Sequence, residues 1–342
     1  MQVAHAQSGY ALHKRRPKQS TVVIFWSLHV QPVLAQRAVF DRPVCWFAAF
    51  DCLFALDLGS MTVSPLPQLP PGPAWLFAPI NRPERIPKAV ERADTVIIDL
   101  EDGAGDLDRD AARQLLIDTD LDPATTIVRV VGPDHPGFAG DVAALKQTNY
   151  RYVIVPKVID HIPAVLDDYQ VIALIETPQA VLHAATIAAL PNVVALYLGA
   201  EDLIQFLGGT TSRLLRDEGW EHDRPGPYRA VIAHARAHMH LAAAAHGKAS
   251  IDAVKADFRD EQGNFEEAAD AARSGFYATC VIHPAQVPVV RRAYQPHPAQ
   301  LDWARRVVAE SQHHPGAFRL DGDMVDAPLI AQAHRLVARA HR

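Results

Sequence analysis

The segments QVIALIETP, Gln170 to Pro178, and VVALYLGAED, Val193 to Asp202, decide the reading of this chain. Each is a short, unbroken run of apolar and β-branched residues that ends on a carboxylate, Glu176 in the first and Asp202 in the second. Continuous rather than alternating hydrophobicity marks a strand buried on both faces, the condition of a parallel sheet covered by helices. Pro178–Ala189, between them, has the pattern of a helix that starts at a proline.

Working outward, the same unit recurs. Runs at Trp75–Ile80, Thr95–Leu100, Thr126–Val131, Tyr152–Val158, Ala249–Val254 and Tyr277–Ile282 bring the expected strands to eight. Further helices are expected at Arg85–Ala93, Arg109–Ile117, Tyr228–His246 and Phe265–Ser274, with Gly247 and Gly275 at helix stops. Eight βα units predict an α/β fold, a (β/α)8 TIM barrel. An open doubly wound sheet is the rival, but no Gly-x-Gly-x-x-Gly or Walker loop supports it. Helical patterns at Gln300–Gln312 and Ala327–His341 follow the barrel. The expected organisation is a leader over 1–70, disordered or mis-assigned, a catalytic barrel over 71–296, and a C-terminal helical extension over 297–342 that serves oligomerisation. The leader shows no sustained period. Met61, just before a proline-rich entry, reads as an alternative start.

Composition narrows the function. Of 342 residues, 49% are hydrophobic and 21% charged, enough apolar matter for a real core. Net charge is −6, which argues against a nucleic-acid binder. Three cysteines exclude a disulfide framework, and Cys45 and Cys52 lack the second pair a zinc site needs. Cys280, inside an apolar run, reads as a core residue. No apolar run is long enough to suggest a membrane span, so a cytoplasmic enzyme is expected.

Barrel enzymes carry their chemistry at the carboxyl ends of the strands. Here those ends supply Asn81-Arg82, Asp99-Leu100-Glu101-Asp102-Gly103, Arg129, Glu176, Glu201-Asp202 and His283. A mouth of carboxylates and arginines suits a hard divalent cation and an anionic substrate. Each candidate has a structural alternative. Glu176 could simply begin a helix, Arg129 could form a buried ion pair with Glu101, and His283 could orient a strand end. His234 and His238 share a helix face, but Ala235 stands where the zincin pattern needs Glu.

The same residues carry a resemblance. WLFAPINRPER (Trp75 to Arg85), IIDLED (Ile97 to Asp102), VRV around Arg129, IETP at Glu176, GAEDL at Asp202, DFRD (Asp257 to Asp260), IHPAQ at His283 and LDGDMVDAP (Leu320 to Pro328) occur in one order. In this the chain resembles the citrate lyase β-subunit-like proteins of the HpcH/HpaI aldolase superfamily, over about Trp75 to Ala340. The resemblance implies a Mg2+-dependent carbon–carbon lyase acting on a 3-hydroxyacyl-CoA thioester such as citryl-, malyl- or citramalyl-CoA. It implies Glu176 and Asp202 as metal ligands, with Glu176 also touching substrate, and Arg129 as the substrate-binding arginine. It further implies a homotrimer in which Asp326 enters a neighbour's site and moves a proton, although Asp326-Ala327-Pro328 is also a good helix start. The rival functions are a class II aldolase on free pyruvate-type 2-keto acids and a non-catalytic thioester- or carrier-binding subunit. Two departures from the family pattern, Ile80 for Gly and Ala278-Thr279 for Gly-Lys, weaken the CoA handle. Arg213 and Arg216, in the long loop from Leu207 to Pro227, are offered as phosphate contacts instead.

Overall fold

The computed structural model of the chain describes residues 66–220 and 226–340. Nearly all of the expected leader, with Cys45, Cys52 and Met61, lies outside them. Eight parallel strands, β1 Ala74–Pro79, β2 Thr95–Asp99, β3 Thr126–Arg129, β4 Tyr152–Val155, β5 Gln170–Ile175, β6 Val193–Leu198, β7 Ala249–Asp252 and β8 Ala278–Val281, form a closed barrel in which β8 pairs back onto β1. The expected runs were long by one to three residues at several carboxyl ends because apolar character continues past the last ladder bond. Ile80, Leu100, Val130 and Val158 are all buried beyond their strands.

Alternation within each strand divides the core in two. Trp75, Ile97, Ile127, Ile154, Ile172, Tyr197, Ile251 and Cys280 fill the barrel lumen. Leu76, Ile98, Val128, Val153, Ala173, Leu196 and Val281 face the surrounding helices. Those helices are α1 Ile86–Arg92, α2 Arg109–Asp118, α3 Phe138–Leu145, α4 Pro178–Leu182, α5 Ala184–Ala188, α6 Ala200–Phe206, α7 Ala230–Ala245, α8 Glu261–Ser274 and α9 Gln286–Tyr294. α3, α6 and α9 were not among the expected helices. In α3 five of eight residues are buried, so no amphipathic stripe shows, and α9 carries Pro288 and three valines. The single helix expected over Pro178–Ala189 divides at His183 into α4 and α5. A short 3-10 turn, Ala164–Leu166, takes the place of a helix after β4.

The two helix stops are real. Gly275 ends α8 at φ 104°, and Gly247 follows α7 at φ 66°, both in the left-handed region.

The extension consists of α10 Pro298–Ser311, a hairpin of β9 Phe318–Leu320 and β10 Asp323–Val325, and α11 Ala327–Arg339. It closes its own small core around Ala304, Val307, Phe318, Val325 and Ala333. The hairpin was not foreseen, although Asp321-Gly322, both at positive φ, is the residue pair that such a turn demands. Among the described residues no helix is long and apolar enough to cross a membrane.

One buried ion cluster ties α2 to α3 and β3. Asp141, fully buried, accepts from the Val131 N–H at 3.2 Å, from Arg113 Nε at 3.0 Å and from Arg109 Nη2. Asp141→Ala strands both guanidiniums and the amide, and is expected to cost about 3 kcal/mol. Urea unfolding checks this; a loss under about 1 kcal/mol would show that solvent replaces the carboxylate freely.

Candidate active site

The carboxyl ends of β2 to β6 converge on one charged group of side chains. Asp99, the last residue of β2, is buried and holds Arg129 of β3 in a two-point fork, Oδ1 to Nε and Oδ2 to Nη2, both at 2.6 Å. Arg129 Nη1 lies 2.9 Å from Glu101 Oε2 and Nη2 lies 3.1 Å from Asp102 Oδ2. Its guanidinium also sits 4.9 Å from the Phe77 ring centre. Asp99 additionally accepts the Gly103 N–H at 2.7 Å, an approach open only to glycine, since a Cβ at 103 would come within 2.6 Å of Asp99 Oδ2.

Glu101 is the joint. Its second oxygen accepts from Lys157 Nζ at 2.6 Å. The same ammonium lies 3.7 Å from Glu176 Oε1 and 3.7 Å from Asp202 Oδ1. The two carboxylates expected to hold a metal therefore face one point. Glu176 is fixed there from both sides. The Lys157 N–H donates to its Oε1 at 2.8 Å. Thr177 accepts the Ala180 N–H as the N-cap of α4 and donates to the Val158 carbonyl, so the chain turns sharply into the helix at Pro178. Gly199 lets Glu176 lie close, because a Cβ there would stand 2.4 Å from Glu176 Cβ. Asp202 comes from the first turn of α6 and is 39% exposed, against 1% for Glu176. Glu201 is turned away to Ser212 Oγ at 2.7 Å, which separates its role from that of Asp202.

Lys157 was missed in the sequence because it was read as part of a strand running to Val158. The strand ends at Val155, and Lys157 adopts φ 54°, a conformation unusual for a non-glycine residue. The signal was Pro156-Lys157 interrupting an apolar run at a carboxyl end.

Five carboxylates, Asp99, Glu101, Asp102, Glu176 and Asp202, thus share two cations, Arg129 and Lys157. Burial, then repulsion from Asp202, pushes the Glu176 carboxyl up to about 8, with Lys157 opposing and Glu101 adding to the rise. Burial also raises Glu101, against the pull of Arg129 and Lys157. Lys157 loses basicity through burial but regains more from Glu101, Glu176 and Asp202, so its net shift is upward. This donor set fits a hard divalent cation. It offers only oxygen, from two carboxylates at adjacent strand ends, and carries surplus negative charge. Among the described residues there is no group of three or more His, Cys, Asp or Glu that could hold a metal ion by themselves.

Other candidates fall elsewhere. Asp326 is the N-cap of α11, accepting the Leu329 N–H, and its described contacts join it to no member of the cluster. Arg213 is buried, paired at two points with Glu267 at 2.8 Å and stacked on Tyr228, so it is not free for a phosphate. His283 stacks on Phe258 and accepts the Ala285 N–H, a structural role. Ile80 lies in the core facing the helices, and Thr279 bonds Tyr294 of α9. The Ile80 and Thr279 side chains thus turn toward the helices, while Ala278 lies in the lumen. His234 and His238 stack on the outer face of α7 at 6.1 Å, remote in sequence from any acidic partner.

Comparisons with known proteins find relatives along most of the chain. The pattern of the HpcH/HpaI aldolase/citrate lyase family matches residues 160–284. Over 270 residues the chain is 45% identical to a citrate lyase subunit beta-like protein of Mycobacterium tuberculosis, covering 79% of this chain and 96% of that one. It is 30% identical over 279 residues to a (3S)-malyl-CoA thioesterase of Cereibacter sphaeroides, covering 78% and 93%. The crystal structure of CitE from M. tuberculosis with magnesium, acetoacetate and coenzyme A superposes with a TM-score of 0.71 at 44% identity, covering 79% of this chain and 98% of that one.

The raised Glu176 carboxyl has a thermodynamic consequence. A carboxyl with a folded pKa above its unfolded value keeps a proton that the unfolded chain has lost, so stability falls as pH rises from about 4.5 to about 8. Without divalent ions, Glu176→Gln should melt above the parent at pH 8, and the gap should narrow toward pH 5. Parallel Tm–pH curves for the two proteins would show that Glu176 carries no such shift.

Proposed function

The chain belongs to the HpcH/HpaI aldolase/citrate lyase family, and from that premise we propose that it is a Mg2+-dependent carbon–carbon lyase acting on a 3-hydroxyacyl-CoA thioester. The observation that carries this reading is that Glu176 and Asp202 both lie 3.7 Å from the Lys157 ammonium at the barrel mouth, in a cluster where five carboxylates share that lysine and Arg129.

In this reading Glu176 and Asp202 hold the ion. Mg2+ bound there supplies a Lewis acid that favours negative charge on a substrate oxygen. The Lys157 N–H and the α4 cap keep Glu176 in its one orientation. Arg129 receives a substrate carboxylate by exchanging its contact with Asp102, whose side chain is 75% exposed, while the buried fork to Asp99 stays intact. In a retro-Claisen cleavage the C3 hydroxyl gives up its proton and becomes a carbonyl, the C2–C3 bond breaks, and C2 of the thioester enolate takes a proton. One group must deliver that proton. We assign it to Asp326 of a neighbouring copy, carried on the extension in a cyclic assembly of three; entering as a carboxylate, it takes the hydroxyl proton and passes it to C2, so the protons balance.

Malyl-, citramalyl- and citryl-CoA, together with free hydroxy-keto acids, should be assayed for the carbonyl product and for free CoA, with Mg2+ and with EDTA. Mg2+-dependent carbonyl product without release of CoA is expected. Release of CoA alone would make the protein a thioesterase like its C. sphaeroides relative, cleavage of free acids alone would make it an aldolase, and no turnover would make it a binding subunit. By calorimetry Glu176→Gln and Asp202→Asn should each weaken Mg2+ binding at least 100-fold; unchanged affinity overturns the metal assignment.

Mixed assembly tests the shared site. Asp326→Asn and Glu176→Gln proteins should each be inactive, and activity should partly return when verified subunit exchange pairs an intact barrel with an intact tail. Absence of recovery, or activity in a monomer, overturns it.

A further inference from the structure

The Lys157 ammonium meets three of the five mouth carboxylates, and not equally. Nζ lies 2.6 Å from Glu101 Oε1, a full hydrogen bond. It lies 3.7 Å from Glu176 Oε1 and 3.7 Å from Asp202 Oδ1, contacts of charge without a bond. The stem that carries it is packed. Gly132 lies beside it, where a Cβ would come 3.2 Å from Lys157 Cβ and 3.7 Å from Cδ, and the backbone at φ 54° sets its direction. The side chain as a whole is 39% exposed. Arg129 differs on each point. It is 10% exposed and forked onto Asp99, so it cannot move without stranding a buried carboxylate. Of the two cations, Lys157 is the one that can change partners.

We infer that the Lys157 ammonium is a counter-ion that competes with the divalent cation for Glu176 and Asp202, drawing in on the two carboxylates when the ion leaves and falling back on Glu101 when it binds. The inference rests on the metal assignment of Glu176 and Asp202 made above. Its physical ground is charge. Five carboxylates face two cations, a surplus of three negative charges when all are ionised. A movable cation within that surplus lowers the repulsion between Glu176 and Asp202, which would otherwise drive the 39% exposed Asp202 side chain outward. A divalent ion on the same two carboxylates does this more strongly, and from so near it repels the ammonium. The two longer contacts yield first, and the Glu101 bond remains. Lys157 thereby holds the pair together in the resting protein and weakens its hold on the metal. This role is distinct from that of the Lys157 N–H, which orients Glu176 whatever the side chain is. Methionine at 157 separates the two, because it keeps the N–H and an unbranched stem and removes the charge.

Calorimetric titration of the full chain with Mg2+ tests this near pH 9, above the Glu176 carboxyl at about 8, so that a proton competes little for the site. Lys157→Met should bind Mg2+ at least about 10-fold more tightly than the parent, and Lys157→Arg, which keeps the charge, should stay within about 3-fold of it. A damaged site binds less, so tighter binding is a result that loss of structure cannot mimic. Lys157→Gln, polar but uncharged, repeats the test should the methionine variant fail to fold. Crystal structures of the unaltered protein with EDTA and with Mg2+ supply a second measurement. The separation of Nζ from Asp202 should open from 3.7 Å to beyond about 5 Å while the Glu101 bond stays. Mg2+ binding in the parent that Lys157→Met or Lys157→Gln leaves unchanged or weakens overturns the counter-ion role and leaves the metal assignment standing. So does a Lys157→Arg protein that binds as tightly as Lys157→Met, or an ammonium that keeps its place beside Asp202 with Mg2+ bound. Absence of Mg2+ binding in the parent and the variants alike overturns both.

Discussion

Like-charge crowding at the mouth is the constraint on which the site depends. Five carboxylates brought together by β2, β5 and α6 would repel one another if left alone. They are held by a chain of alternating charge that runs Asp99, Arg129, Glu101, Lys157, then Glu176 and Asp202. The chain joins the ends of β2, β3, β4 and β5 to the start of α6, so the same contacts that neutralise the site also fix the spacing of the strand ends. Its geometry requires two special backbone positions. Gly103 must lack a Cβ for Asp99 to reach its amide, and Lys157 must accept a positive φ to present its N–H and its ammonium to the same carboxylate region.

This arrangement divides Arg129 between the two readings its sequence position allowed. It is an ion-paired residue buried against Asp99, as the structural alternative holds, and it also borders the mouth through Asp102. The two roles are compatible because a guanidinium has five donors in a fixed fork. Nε and one hydrogen of Nη2 are committed to Asp99, which orients the plane, and the outer contacts remain exchangeable. A lysine could keep the charge but not the orientation.

The barrel was legible because its strands are buried on both faces and so read as unbroken apolar runs. That Glu176 and Asp202 stand at the mouth was legible for a related reason, since each is a charge that closes such a run. What stayed hidden was local in another way. α3 lost its stripe because it is buried on most sides, α9 because Pro288 and its valines argue against a helix, and the hairpin because a three-residue strand is too short to show alternation. Lys157 was hidden by an error of one boundary. Extending β4 to Val158 buried the lysine in a strand on paper, where the real chain has already turned. What the sequence did not show at Ile80 and Thr279 was direction: alternation turns both side chains to the helices.

The barrel and its extension differ in how completely they account for themselves. Every carboxylate at the mouth has a partner or a neighbour within the same barrel, and the lumen beneath is filled. The extension has its own core and caps its last helix with Asp326, yet that aspartate is held by a single contact of 3.4 Å to Leu329 N–H. Asp260, by comparison, caps α8 at 2.9 Å and also lies 3.1 Å from Lys255. The mouth, for its part, holds its acids against Arg129 and Lys157. The extension thus ends its own small core at an aspartate whose described side-chain contact is the cap of α11, whereas the mouth acids are tied into one chain of alternating charge.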